Sequence, residues 1–123
     1  MKLIENLYKI TARTSTDDAV IYQIELLADS PIYKAHFPGN PITPGVCQIQ
    51  MALELLEIIE NQKLNIKTLK NVKFISALIP QGQHISVVFN NITRQENEIK
   101  TQATIKDTND VIYAKISLQT VIA

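Results

Sequence analysis

The sequence predicts an α+β fold, on three observations. One segment, Val46 to Glu60, is apolar around almost its whole helical circumference, which in a soluble chain means a buried helix. Most other periodic segments are rich in β-branched and aromatic residues or alternate with period two, as strands do. No Pro/Gly/Ser linker, repeat or low-complexity tract divides the 123 residues, so residues 1–123 read as one domain. The expected architecture is one long central helix wrapped by a bent, mainly antiparallel sheet.

The elements follow in order. Leu3 to Arg13 reads as a first strand and Ala19 to Ala28 (AVIYQIELLA) as a second. Ser30 to Pro44 is irregular and holds four of the five prolines. Thr43 is the expected N-cap of the helix, with Pro44 at its first position. Gln50, Glu54 and Glu57, spaced four and three apart, share one narrow polar stripe on it. The helix is expected from about Pro44 to Asn61. Four strands come next: Thr68 to Ile79, His84 to Ile92, Ile99 to Lys106 and Val111 to Ile122. In the last, Ile112, Ala114, Ile116 and Leu118 alternate with Lys115, Ser117 and Gln119. Gln95-Glu96-Asn97 and Thr108-Asn109-Asp110 read as hairpin turns. A sheet wrapped around one apolar helix is the hot-dog arrangement.

Composition narrows the function. Twelve basic and twelve acidic residues give a formal charge of zero, without the basic field that nucleic-acid binding needs. A lone cysteine, Cys47, forms no internal disulfide and suits a reducing compartment. The N-terminus MKLIENLYKI breaks the apolar core of a signal peptide with Glu5 and Asn6. No run approaches the roughly 18 apolar residues of a membrane span. The expectation is a cytoplasmic protein, and Asn91-Ile92-Thr93 is then no glycosylation site. Two histidines and one cysteine offer no metal-ligand spacing; neither a metal nor another cofactor is expected.

The chemistry concentrates in Ala35 to Glu54, AHFPGNPITPGVCQIQMALE. His36, Phe37, Pro38, Gly39, Pro41, Pro44, Gly45 and Val46 occupy eight of eleven positions at fixed spacing. This frame resembles the active-site signature of the 3-hydroxyacyl-acyl carrier protein dehydratases, which are hot-dog proteins. Phe74 followed by Pro80-x-Gly82 is a weaker second match. Gln48 within PGVCQ is more similar to the subgroup acting in aryl-polyene and related pathways. The resemblance implies a (3R)-hydroxyacyl thioester dehydratase of fatty acid or related acyl-chain biosynthesis. Its partners would be acyl carrier protein or acyl-CoA thioesters. It also implies a homodimer, or a higher oligomer of dimers, in which His36 of one chain faces the partner's helix.

Dehydration needs a base at C2, an acid for the departing C3 hydroxyl, and a cradle for the thioester carbonyl. Histidine, with an ordinary pKa near neutrality, suits the first task and assigns it to His36. A helix N-terminus suits the third, because its first amides lack internal partners and carry partial positive charge. Pro44 has no N–H, so Gly45 and Val46 are the substrate-binding amides, and Gly45 permits close approach to the backbone. The resembled family carries Glu or Asp fourteen residues after the histidine; here that position is Gln50. An amide supplies no proton as a carboxylic acid does, yet it can hydrogen-bond a leaving hydroxyl or place a water. Glu54 lies one turn on, about 5–6 Å along the axis, and is the other candidate acid. Cys47 and His84 read as structural. Two alternatives stand beside dehydration: acyl thioester hydrolysis using Gln50, and a non-catalytic acyl-carrier-binding subunit that relies on another chain for the acid.

Overall fold

The computed structural model describes residues 2–35 and 39–123. Six strands and two helices follow in the order β1 (Tyr8–Ser15), β2 (Ala19–Leu26), α1 (Pro31–Ala35), α2 (Gly45–Glu60), β3 (Leu64–Phe74), β4 (Ile85–Gln95), β5 (Glu98–Asp107) and β6 (Ile112–Ile122). The strands form one sheet in the order β1-β2-β4-β5-β6-β3, and every neighbouring pair is antiparallel. This is the hot-dog fold.

Period-two patterning decides which sheet face meets the helix. Ile85, Val87 and Phe89 of β4, Ile99, Ala103 and Ile105 of β5, and Ala114, Ile116 and Leu118 of β6 are buried. They form one cluster with Met51, Ala52, Leu55 and Leu56 of α2. Burying one such large side chain contributes about 1.5–3 kcal/mol. Register shifts interrupt β4/β5 between Asn90 and Thr93 and β3/β6 between Lys70 and Lys73. Asn91 and Asn71 take positive φ at these places. Such bulges bend the strands that carry them.

Several boundaries differ from the sequence expectation. Residues 3–7 are not strand: Glu5 takes φ 66°, and the Asn6 and Leu7 amides turn back onto the Leu3 carbonyl. The irregular stretch contains α1, where the Ser30 hydroxyl accepts from the Ile32 amide at 3.3 Å and Pro31 takes the first helical position. Strand β3 begins four residues before Thr68 and ends at Phe74, because the Ile75 and Ser76 amides both turn to the Tyr113 carbonyl. The N-cap of α2 is Pro44, without a side-chain bond. Thr43 does not cap: its Oγ1 is paired with the Tyr33 hydroxyl at 2.8 Å. At the other end Asn61 closes α2 in the left-handed conformation, φ 52°.

The helix is not buried all round. Val46 is 70% exposed and Ile58 42%. On β3, Ile66, Leu69 and Phe74 are exposed too, and β3 is an edge strand. An open apolar helix flank and an apolar sheet edge therefore coexist in the single chain.

Candidate active site

The N-terminus of α2 is built by the segment before it. The Thr43 amide donates to the Leu78 carbonyl at 2.8 Å, which ties the approach to α2 to the residues after β3. The first helical bonds run from the Cys47 and Gln48 amides to the Pro44 carbonyl, at 3.0 and 3.1 Å. The Gly45 and Val46 amides precede that first bond and belong to the unpaired helix start.

A cavity of about 340 Å³ opens beside this helix start, lined by Thr43, Gly45, Gln48, Phe74 and Leu78 among others. Gly45 is a glycine because of Phe74. A Cβ on Gly45 would lie 2.7 Å from Phe74 Cζ and 2.8 Å from Cε2. The ring thus occupies the close approach that the sequence assigns to an acyl group. Phe74 is 50% exposed, so it can move without emptying the core.

Gln50 lies elsewhere. It lines a second cavity of about 640 Å³ with Ile4, Leu53, Glu54, Glu57 and Lys63. Five residues separate it from Gly45, about 7–8 Å along the axis and well round the helix. Val46 lines neither of these cavities. Helical spacing puts it on the Gln50 side, where α2 is open. One chain therefore does not bring Gly45 and Gln50 into one cavity. His36, with Phe37 and Pro38, lies outside the described residues.

Glu54 is the residue whose role the structure defines most fully. It is 6% exposed and accepts four hydrogen bonds. Leu3 N–H (2.7 Å) and Gln50 Nε2 (3.0 Å) donate to Oε2. Ile4 N–H (2.9 Å) and the Tyr8 hydroxyl (3.0 Å) donate to Oε1. A carboxylate has about four acceptor positions, so a proton on either oxygen would displace a donor. Burial, and then the Glu54 charge, pushes the Tyr8 phenol far above its ordinary range. Glu54 anchors the N-terminal segment and orients Gln50. Glu57, on the same stripe, accepts from the Leu64 amide at 2.9 Å and fixes the entry to β3. The polar stripe is thus a line of anchors and not a solvated edge.

The remaining candidates resolve simply. Cys47 is buried, and burial pushes its thiol up, which suits packing. His84 is exposed just before β4. Among the described residues no three His, Cys, Asp or Glu gather as a metal site, and no helix is long and apolar enough to cross a membrane. Sequence reasoning offered Thr43 as the N-cap and missed Tyr33, its partner in supporting the helix start. Their hydroxyl pair joins positions ten residues apart, and no local pattern marks it.

A family model described as ApeI-like, ApeI dehydratase, matches residues 12–115. No curated protein sequence matches the chain. Solved structures share the fold at low identity. The dehydratase heterocomplex ApeI:P from Xenorhabdus doucetiae aligns with TM-score 0.72 and 18% identity, over 91% of this chain and 96% of that one. A putative thioesterase, yhdA from Lactococcus lactis, aligns with TM-score 0.72 and 14% identity, over 100% and 98%. The smu.793 protein from Streptococcus mutans UA159, bound to acetyl CoA, aligns with TM-score 0.67 and 10% identity, over 90% and 86%.

Proposed function

The chain belongs to the ApeI-like dehydratase family, and from that membership we propose that it eliminates water from (3R)-hydroxyacyl thioesters. The thioester is carried on acyl carrier protein or coenzyme A, in fatty acid or related acyl-chain biosynthesis. Residues 1–123 act as one domain, in the cytoplasm, as a homodimer or an oligomer of dimers. The observation that carries the reading is the start of α2. Gly45, whose amide precedes the first helical bond, lines the cavity there, at the point where the His36-to-Val46 frame calls for a carbonyl cradle.

In this mechanism His36 removes a proton from C2 while the helix-start amides hold the carbonyl oxygen as negative charge grows on it. The C2–C3 double bond forms as the C3–O bond breaks, and the oxygen leaves as water after gaining a proton. Gln50 occupies the family's acid position, and Glu54 is committed to its four donors. The leaving oxygen therefore receives its proton from a water that Gln50 orients, the hydroxide left behind takes back the proton held by the His36 imidazolium, and turnover is slow. The exposed Ile66 and Leu69 of the β3 edge support a dimer in which two such edges join and His36 approaches the partner's α2.

Thioester hydrolysis is the second reading. Gln50 itself favours it, since an amide that cannot protonate a hydroxyl can still place an attacking water. The test is conversion of (3R)-hydroxybutyryl-acyl carrier protein, followed by the enoyl product and by free thiol. The expected result is slow enoyl formation that His36→Ala abolishes without changing the oligomer. Thiol release without enoyl product, in wild type, would replace dehydration by hydrolysis.

A further inference from the structure

Gln48 is 3% exposed, yet among the described residues its buried Oε1 has no hydrogen-bond partner. The amide cannot flip to cure this. Its Nε2 donates to the Thr43 carbonyl at 3.1 Å, and a flip would set two acceptors against each other. Thr43 is itself immobilised, by its amide on the Leu78 carbonyl and its hydroxyl on Tyr33. The structure thus fixes an unsatisfied acceptor in the wall of the same cavity that holds Gly45 and Phe74. Buried polar atoms are nearly always paired, and an exception calls for an explanation.

We propose that Gln48 Oε1 is a ligand-binding acceptor, and that it selects acyl thioesters presenting a hydrogen-bond donor beside the thioester carbonyl. The inference rests on the reading of the α2 start as the acyl thioester site. Two donors of such a ligand lie close to its carbonyl: the 3-hydroxyl of the acyl chain and the amide N–H of the cysteamine arm. Phe74, half-exposed above Gly45, is the wall that moves to admit it. A site that leaves a buried acceptor unpaired discriminates against ligands lacking the donor. Gln48 is then a specificity residue without a part in proton transfer.

Three inert thioethers test this by calorimetric titration of the wild-type protein. They are S-(3-hydroxybutyl)-pantetheine, S-butyl-pantetheine, and the S-(3-hydroxybutyl) compound with an ester oxygen replacing the cysteamine N–H. Loss of the donor that Gln48 reads is expected to raise Kd roughly tenfold or more, and the compound that weakens identifies the donor. Gln48→Met, which keeps the volume and removes the acceptor, is expected to erase that difference. The Gln48 side-chain amide signals in the NMR spectrum of the wild-type protein are expected to shift with the donor-bearing ligand and not with its counterpart, whether or not the variant folds. Equal wild-type affinities, as when the acceptor merely keeps a buried water, would overturn the inference alone. So would a difference that persists in Gln48→Met, or unmoved Gln48 signals. Failure of all three compounds to bind would overturn the acyl-thioester reading, and this inference with it.

Discussion

At the scale of single residues, Glu54 shows how a polar position on an apolar helix is used. Its four donors come from Leu3, Ile4, Tyr8 and Gln50. An amide in its place turns one acceptor position into a donor that faces donors. Hydrogen bonds to a charged group contribute about 1.5–3 kcal/mol each. Glu54→Gln is therefore expected to lower unfolding free energy in urea by about that amount, and to speed hydrogen exchange at Leu3 and Ile4. Unchanged stability, with both amides still protected, would mean the carboxylate is not their anchor. The stripe Gln50-Glu54-Glu57 was legible in the sequence, but its partners were not. The Leu3 and Ile4 amides lie 51 and 50 positions away, beyond any local pattern. The same distance explains why residues 3–7 leave the expected strand. The packing of Cys47, by contrast, follows from its apolar neighbours alone.

At the scale of elements, the strands that alternate cleanly were the most legible. In β6 the buried Ala114, Ile116 and Leu118 are the residues that alternation picks out. The end of β3 was not, because Ile75 to Ile79 is as apolar as a strand while tertiary bonds to Tyr113 end the ladder. Helix α1 was hidden by the prolines around it, although Ser30-Pro31 is a capping signature. The β5–β6 turn is held by Asp107. Its Oδ1 accepts from the Asn109 and Val111 amides at 2.9 and 3.1 Å, and its Oδ2 accepts from the Tyr113 hydroxyl at 2.7 Å. The Tyr113 bond, aided by the two amides, holds the Asp107 carboxyl below its ordinary value. A carboxyl lowered by folding stabilises the native state above the ordinary aspartate pKa of about 3.9. That contribution fades as pH falls through the lowered folded value. The stability gap between wild type and Asp107→Asn is accordingly expected to be widest near neutrality and to narrow below about pH 4. A gap that stays constant to pH 2 would remove the carboxylate from the account of this turn.

At the scale of the whole molecule, the single chain leaves two features unfinished. The β3 edge carries exposed Ile66, Leu69 and Phe74, and the α2 flank exposes Val46 and Ile58. Unpaired apolar edges invite pairing, and identical chains satisfy each other symmetrically. Leu69→Lys is expected to weaken self-association about tenfold or more, seen by sedimentation velocity, with the circular dichroism spectrum unchanged. A wild-type protein that is monomeric at micromolar concentration would end the dimer reading. It would also leave Gly45 and Gln50 in separate cavities. Of the proposed site, the His36-to-Val46 frame and Gln50 come from the sequence; Phe74 stood out only as a family match, and the Gln48 acceptor was not anticipated. Both depend on how β3 returns across the start of α2, which no spacing in the chain announces.

The central claim is that this scaffold is a dehydratase limited by an amide where its family carries an acid. The most direct test compares initial rates of enoyl formation from (3R)-hydroxybutyryl-acyl carrier protein for wild type and Gln50→Glu. General acid catalysis contributes about 10²–10⁴ in rate. Gln50→Glu is expected to raise turnover by one or more orders of magnitude at unchanged oligomeric state. A folded, dimeric Gln50→Glu protein that forms enoyl product no faster than wild type would contradict the claim.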